Sequence, residues 1–349
     1  MKTISISICL LLCELSSLFS QETEQKFGTG FYVLKDYQYF KPLLADIRNP
    51  QFFMRVYRDQ AVKFSNPATL GKHYFWDVGY GSFFPLVGVN FKNAPSANQM
   101  EISGATVFVE ASAHMLLDLS APSADVINTD FRMGGGLAAR LPAKWRDISV
   151  RYKFFHESTH IGDEYILAAM ADSAFHRYNV SYEAHEVYTA IERYRPEANN
   201  RCDLSYRRVY AIGRLLTKDG AFEDFKDQSK ANALKTRNRT ELQLGGEIFL
   251  RGGSMAPSGE PKIKELLKKI ITPQYVVIAA DLYYRDKYDV IAPRKLWSAN
   301  IVVGFVYGNY FEGGRTTKLL INYYRGVNPH GQFRMDEISY IGVGYGIGF

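Results

Sequence analysis

The chain has 349 residues with a formal net charge of +6, 24 Tyr, 23 Phe and 28 Gly, and its mean hydropathy is −0.20. The modest charge comes without Lys/Arg runs interleaved with aromatic residues, which argues against nucleic acid as a partner and remains compatible with an anionic lipid surface. After the first twenty residues no apolar run reaches the roughly 18 residues of a membrane-spanning helix, so this composition crosses a membrane only as a closed barrel of strands.

Met1-Lys2 is a short positive start, Ile4 to Leu12 is mostly apolar, and Ser16 to Ser20 offers a small residue before the polar Gln21-Glu22. Residues 1–20 therefore read as a secretory signal peptide. The rival, a lipid anchor at Cys13, is disfavoured by the bulky Leu12 before it. Removing the leader takes away Cys9 and Cys13 and leaves Cys202 alone, so the mature chain has no internal disulfide. Residues 21–50 are expected to form a periplasmic or barrel-closing segment, and 51–349 the barrel itself.

From there alternating segments recur. Ala105, Val107, Val109, Ala111, Ala113, Met115 and Leu117 share one parity, against Thr106, Phe108, Glu110, Ser112, His114 and Asp118 on the other. A period of two is what a strand converts into a lipid face and a lumen face. The same division runs through Leu242 to Arg251 and Val276 to Arg285. With residues 51–58, 74–91, 131–141, 149–160, 180–195, 203–216, 299–307, 319–325 and a terminal strand, the count is about twelve, an even number as in single-chain bacterial barrels. The predicted class is all-β, a transmembrane antiparallel β-barrel. Its lumen is expected to be lined by residues such as Glu110, His114, Asp118, Arg132, Arg140 and Glu247.

Connection lengths give a topology. Pro142 to Asp147, Pro196 to Arg201 and Glu312 to Arg315 are short and should be periplasmic turns, whereas Ile161 to Asn179 and Thr217 to Arg239 are long and polar enough to be external loops. Gly252 to Pro273 breaks the pattern. It contains Ile263 to Ile271, an amphipathic basic stretch that would lie on the inner leaflet, plug the barrel or pack against its end.

His156-Glu157-Ser158-Thr159-His160-Ile161-Gly162-Asp163-Glu164 is the densest set of reactive side chains. It spells H-E-x-x-H, which on a helix places two histidines on one face to hold zinc, with a third ligand to be sought at Glu183 or Glu186. The preceding Ser149 to Phe155 alternates with period two, so the helical premise fails. On a strand His156, Ser158 and His160 share the face of Tyr152 and Phe154, the lipid side, while Glu157 points with Arg151 and Lys153 into the lumen. If the chain is an enzyme, Ser158 is its nucleophile, His156 its general base, and His160 or Asp163 orients the base or binds a metal. The bland alternative is a hydrogen-bonded rim, or a bulge that turns the cluster inward. Nothing in the sequence specifies a cofactor or a metal. His73, His114, His176 and His185 have no ligand-like spacing and read as lumen or loop residues.

The outward His-x-Ser pair resembles the arrangement in outer-membrane phospholipase A and the lipid A deacylases, in which a serine nucleophile and histidine base meet substrate arriving from the membrane. The Ser-Asn-Gly continuation of the phospholipase is missing. A broader resemblance is carried by Phe40 to Arg48, Phe155 to Glu164 and Tyr324 to Phe333. Together these look like a bacterial family of outer-membrane barrels catalogued as a domain of unknown function, DUF1207, whose motif usually has Gln where this chain has Glu157. The resemblance implies a barrel and an outer-membrane location, and no activity. Tyr324 to Phe333 is explained by turn chemistry at Gly326, Asn328-Pro329 and Gly331, on the same outer end as His156, which would bring Arg325, His330 and Gln332 toward it.

The chain closes on Ser339 to Phe349, in which Ile341, Val343, Tyr345 and Ile347 alternate with Gly342, Gly344, Gly346 and Gly348. A last strand ending on an aromatic resembles the signal by which the barrel-assembly machinery recognises outer-membrane barrels. The sequence thus predicts an outer-membrane barrel of a diderm bacterium in contact with outer-membrane lipids. It would be structural or a narrow pore, with a lipid-acting hydrolase as the alternative.

Overall fold

The computed structural model describes residues 30–33, 39–59, 73–91, 102–142, 147–169, 178–179, 181–195, 200–217, 223–224, 239–252, 272–285, 297–308, 310–311, 315–333 and 337–348. The expected leader, the amphipathic stretch Ile263 to Ile271 and the terminal Phe349 lie outside these residues.

Twelve strands form the wall: β2 (Phe52–Asp59), β3 (His73–Asn90), β4 (Gly104–Asp118), β5 (Asp125–Pro142), β6 (Asp147–Ile161), β8 (Ser181–Tyr194), β9 (Leu204–Leu216), β11 (Arg239–Arg251), β12 (Tyr275–Arg285), β13 (Trp297–Tyr307), β14 (Thr316–Val327) and β15 (Glu337–Gly348). Each pairs antiparallel with the next, and β15 pairs with β2, so the sheet closes on itself. The predicted class and strand number hold. A separate two-stranded ladder joins β7 (Tyr178–Asn179) to β10 (Glu223–Asp224) within the long connections.

The alternation read from the sequence becomes two surfaces. Val107 and Val109 of β4 are exposed while Phe108 and Glu110 are buried. On β15 Ile341, Val343, Tyr345 and Ile347 face out. An apolar outer face on a closed barrel is the architecture of outer-membrane barrels. The bare inner face of β15 makes room for long side chains: the aliphatic part of Arg55 lies about where a β-carbon on Gly342 would press against it, at 3.0 Å. The short turns after β5, β8 and β13 share one end of the barrel with the end of β15, as does the long connection after β11 that breaks the pattern, and the long connections after β6 and β9 share the other. We call these the terminus end and the loop end.

The interior is occupied by the chain's own N-terminal part. Strand β1 (Gly30–Val33) pairs with β3 at Val87 to Asn90, on the edge that β2 takes over from Gly79 onward. Between the two, residues 39–51 cross the lumen. The Tyr39 hydroxyl donates to Asn90 Oδ1 at 2.7 Å on β3; Arg208 of β9 donates to the Lys41 and Pro42 carbonyls at 2.9 and 3.0 Å. The Leu44 amide donates to Glu247 of β11 at 2.6 Å, and Asn300 of β13 donates to the Ala45 carbonyl at 2.7 Å. One segment held by inward side chains from several sides of the wall is a plug. It also joins three buried apolar clusters, through Tyr39 to Leu43, through Leu44 and Ala45, and through Ile47. The described part of the segment expected to be periplasmic or barrel-closing lies inside the barrel, where its Leu, Ile and aromatic residues join buried apolar clusters.

At the loop end, Asn328 to Phe333 also folds inward and is buried. It ends in a single 3-10 turn at Gly331–Phe333. A β-carbon on Gly331 would fall 2.0 Å from Thr159 Oγ1, so only glycine allows this approach. Beside it the expected polar loop after β6 holds a short helix, α1 (Asp163–Ala169). Asp163 and Glu164 in its first turn suit the positive end of the helix dipole. Tyr165 of α1 meets Phe333 edge to face at 5.8 Å.

Candidate functional site

Strand β6 carries both faces of the site. Its ladders to β5 and β8 run without a register shift, so the alternation is unbroken and no bulge turns the cluster inward. His156 and His160 are exposed and Ser158 is half-buried on the outer face, while Glu157 and Thr159 are buried in the lumen. His156 and His160 are thus four strand residues apart, about 13 Å, with Glu157 on the opposite side. The zinc-binding geometry of a helical H-E-x-x-H is absent.

Neighbouring strands complete the outer face. His156 stands opposite Glu183 and Ser158 opposite Ser181 on β8, and on the other side Ser158 stands opposite the exposed Phe131 of β5. The His160 ring meets Phe131 edge to face at 5.8 Å. His185, next outward on β8, takes a 2.7 Å hydrogen bond with the Tyr152 hydroxyl and packs on Phe154. Asp163 lies past the strand, exposed at the start of α1. Among the described residues His156 makes no hydrogen bond to Ser158. The structure brings the two histidines and the serine onto one face and places Asp163 on a different element. Glu183, read from the sequence as a possible metal ligand, is the acid across from His156.

The inner face is a network of buried ion pairs. Lys153 contacts Glu110 at 2.7 Å and Glu186 at 3.3 Å, and Glu186 also receives Arg214 at 2.6 Å and Arg151 at 3.3 Å. Arg140 pairs with Glu192 at 3.0 Å and Arg208 with Glu247 at 2.6 Å. Arg55 pairs with Asp77 at 2.8 Å. The expected lumen residues Glu110, Arg132, Arg140 and Glu247 all face inward, each engaged by an opposite charge. His114 is buried inward as well, and Asp118 holds His73 at 2.8 Å at the rim. Such pairs form where desolvation is offset by close contact and further hydrogen bonds.

At the loop end this network gathers the three segments singled out in the sequence. Arg48, from Phe40 to Arg48, contacts Glu157 at 2.9 Å and Asp130 at 2.5 Å and donates to the Pro329 carbonyl at 3.1 Å. Glu157 also receives Arg132 through Nε at 2.9 Å and Nη2 at 2.6 Å. The Gly331 amide donates to Asp130 at 3.2 Å, Thr159 Oγ1 donates to the same carboxylate at 2.5 Å, and Gln332 Nε2 donates to the Thr159 carbonyl at 3.2 Å. Of the residues expected near the outer cluster, His330 and Gln332 are buried in this latch, behind the wall that carries His156. His330 lies 3.9 Å from both Asp77 and Asp130. Burial, helped by Arg48 and Arg55, holds its imidazole below the usual histidine range against the pull of those two carboxylates. Arg48, Asp130 and Thr159 were missed as partners. Arg48 and Thr159 lay inside the quoted segments, and the only signal was at Arg48, a charged residue in a largely apolar stretch.

The model of a family described as protein of unknown function (DUF1207) matches residues 24–212 and 276–349. No curated protein matches the chain. Among solved structures, outer-membrane phospholipase A from Escherichia coli is similar at 10% identity, covering 88% of this chain and 98% of that one with a TM-score of 0.44. The calcium-bound dimer of the Salmonella typhi outer-membrane phospholipase gives 10%, 85%, 89% and 0.44. LpxR from Salmonella typhimurium gives 12%, 86%, 99% and 0.36. At such identities and scores the likeness assigns no activity.

Proposed function

We propose a function for a chain that belongs to the DUF1207 family: an outer-membrane barrel with a closed interior that hydrolyses acyl esters of membrane lipid at its outer wall. The observation that carries this reading is the outward His156 and Ser158 on β6, level with Phe131 and opposite Glu183, on the outer face they share with the exposed Tyr152 and Phe154. Ionisable side chains facing lipid are costly and mark function by default. In this reading the loop end faces outward and the terminus end the periplasm. The leader at residues 1–20 exports the chain, and the C-terminal strand ending at Phe349 meets the assembly machinery.

Ser158 Oγ attacks the ester carbonyl while His156 takes its proton. The carbonyl–oxygen bond to the lipid alcohol breaks, the alcohol leaves with the proton from His156, and water then releases the fatty acid from the serine ester by the same route. Glu183 across the ladder supplies the charge that steadies the imidazolium, in place of the more distant Asp163. The His156–Ser158 hydrogen bond forms as substrate docks, as catalytic contacts often tighten only in the bound complex. A pore has weaker support, since Glu110, Arg132, Arg140 and Glu247 of its expected lining are each engaged by a buried opposite charge and the plug crosses the lumen between them.

The test is acyl release from a panel of bacterial lipids by wild type, Ser158→Ala and His156→Ala, each shown to be folded by heat-modifiable gel mobility. Removing either residue should cost on the order of 10⁴-fold in rate. Equal rates in all three, or no release by the folded wild type, would overturn the proposal. Steady ion conductance in planar bilayers would restore the pore.

A further inference from the structure

Where β8 ends and β9 begins, at the terminus end, the outer face of both strands stops being apolar at one level. Ile191 of β8 and Val209 of β9 are exposed and stand opposite one another. The next outward residues are Arg193 and Arg207, again directly opposite, with Arg207 exposed and Arg193 half-buried. Arg195 follows two residues on, just past the strand.

Two guanidinium groups facing each other across a ladder repel, and directly opposed like charges destabilise a sheet. On the inner face nearby Asp147 stands opposite Glu192, and there Arg140 holds Glu192 at 3.0 Å. Nothing of the kind answers the arginine pair. Among the described residues neither side chain takes an ion pair or a hydrogen bond. Around them the outer face carries Ile148, Ile248 and Leu250. The nearby carboxylates of Glu192 and Glu247 face the lumen, engaged by Arg140 and Arg208, and that of Asp203 in the turn accepts the Asn200 amide at 2.9 Å.

Depth says what can answer them. Two residues along a strand is about 7 Å, or about 5 Å along the membrane normal for a strand tilted by roughly 40°. The headgroup layer is about 5–8 Å thick on each side of the hydrocarbon core. With Ile191 and Val209 at the hydrocarbon edge, the pair lies at the depth of lipid phosphates. A phosphodiester offers two charged oxygens, one to each guanidinium, in charge-assisted hydrogen bonds. A zwitterionic lipid would bring an ammonium group for which this face supplies no described carboxylate. We infer that Arg193 and Arg207 together clamp the phosphate of one anionic glycerophospholipid, with Arg195 strengthening the positive field. The orientation adopted under the proposed function makes it a lipid of the inner leaflet.

The test folds the full chain into vesicles of ether-linked lipids, which no acyl hydrolase cleaves, so its outcome is separate from that of the reaction proposed above. Urea unfolding midpoints are compared in phosphatidylcholine alone and with phosphatidylglycerol added to about a third of the lipid. Wild type should be the more stable in the anionic vesicles. Relative to wild type, Arg193→Gln and Arg207→Gln should each raise the midpoint in phosphatidylcholine, by relieving repulsion, and lower it in the anionic vesicles, by opening the clamp. Arg315→Gln, which removes an exposed arginine at the same end between β13 and β14, should show no such reversal. In amine-oxide detergent, binding of a short-chain ether phosphatidylglycerol, read by native mass spectrometry, should weaken about fivefold in either clamp variant, the worth of one cation near an anionic surface. Equal wild-type midpoints in the two lipids overturn the inference whatever the variants do to folding. So does a shift of one sign in both lipids for the clamp variants, unchanged phosphatidylglycerol binding by them, or the same reversal for Arg315→Gln. Inorganic phosphate that stabilises wild type in phosphatidylcholine vesicles as phosphatidylglycerol does, at equal ionic strength, would assign the pair to a free anion and overturn the lipid.

Discussion

The plug is seated twice, by two kinds of force. Toward the terminus end Leu44 and Ala45 rest among Tyr206, Phe249, Tyr275, Tyr310 and Phe311, where Phe249 meets Phe311 at 5.2 Å and Phe311 meets Tyr206 at 5.0 Å. Toward the loop end Arg48 is held by Asp130, Glu157 and the Pro329 carbonyl. An aromatic seat works through contact area and accepts small shifts, whereas an ion-pair latch is directional and costly to leave half-made. The first keeps the segment in the barrel. The second fixes where it stops, against the inner side of the β6 tip whose outer face carries Ser158.

The difference can be broken one seat at a time. Glu157→Ala leaves Arg48 and Arg132 facing each other without their shared carboxylate and should cost about 3–5 kcal/mol of unfolding free energy, measured by denaturant titration in lipid vesicles. Hydrogen exchange should speed up at the Gly331 amide, which is bound to Asp130, and stay slow at the Leu44 amide, which is bound to Glu247. Phe311→Ala should cost somewhat less, about 3 kcal/mol, because neighbouring rings can partly close the cavity. Its exchange pattern should be the reverse, with Leu44 loosened and Gly331 unaffected. If either variant loosens both amides alike, the two seats are one cooperative unit and the comparison fails.

The smallest effect sharpens the contrast through pH. His330 in the latch has its folded pKa below the unfolded value of about 6.5. As pH falls through that value the unfolded chain takes up a proton that the folded one refuses, so stability is lost on acidification and is intact above it. Gly331 exchange should therefore accelerate from pH 7 to pH 5.5 relative to Leu44 once both are corrected for intrinsic rates. A ratio constant over that window would remove His330 from the account.

Much of this was legible in the residues. Val107, Val109, Leu242, Leu244 and the β15 apolar set announce their outward face because a two-residue period has a single structural meaning in lipid. The parity of β6 alone places His156, Ser158 and His160 outside and Glu157 inside. What the sequence hides is partnership across the barrel. That Glu186 would gather Lys153, Arg151 and Arg214 depends on strand order, closure and register together, none of which is local. Phe40 to Arg48 stood out as a segment, yet it has neither a two- nor a four-residue rhythm, so nothing marked it as lumen filler. Tyr310 and Phe311 fall between the strand read at 299–307 and the turn at Glu312 to Arg315, and nothing local marks them as rings folded into the interior.

Strands β1 and β2 lie along the same edge of β3, and the plug is the stretch of chain between them. The stopper is therefore sewn into the wall at both ends, and it cannot be shed as a detachable domain. It leaves the wall beside the seam where β15 pairs with β2 across six pairs, from Phe52 and Ile347 to Tyr57 and Gly342. Wall and stopper are thus one continuous thread, and a break in the seam would free the strand from which the stopper hangs.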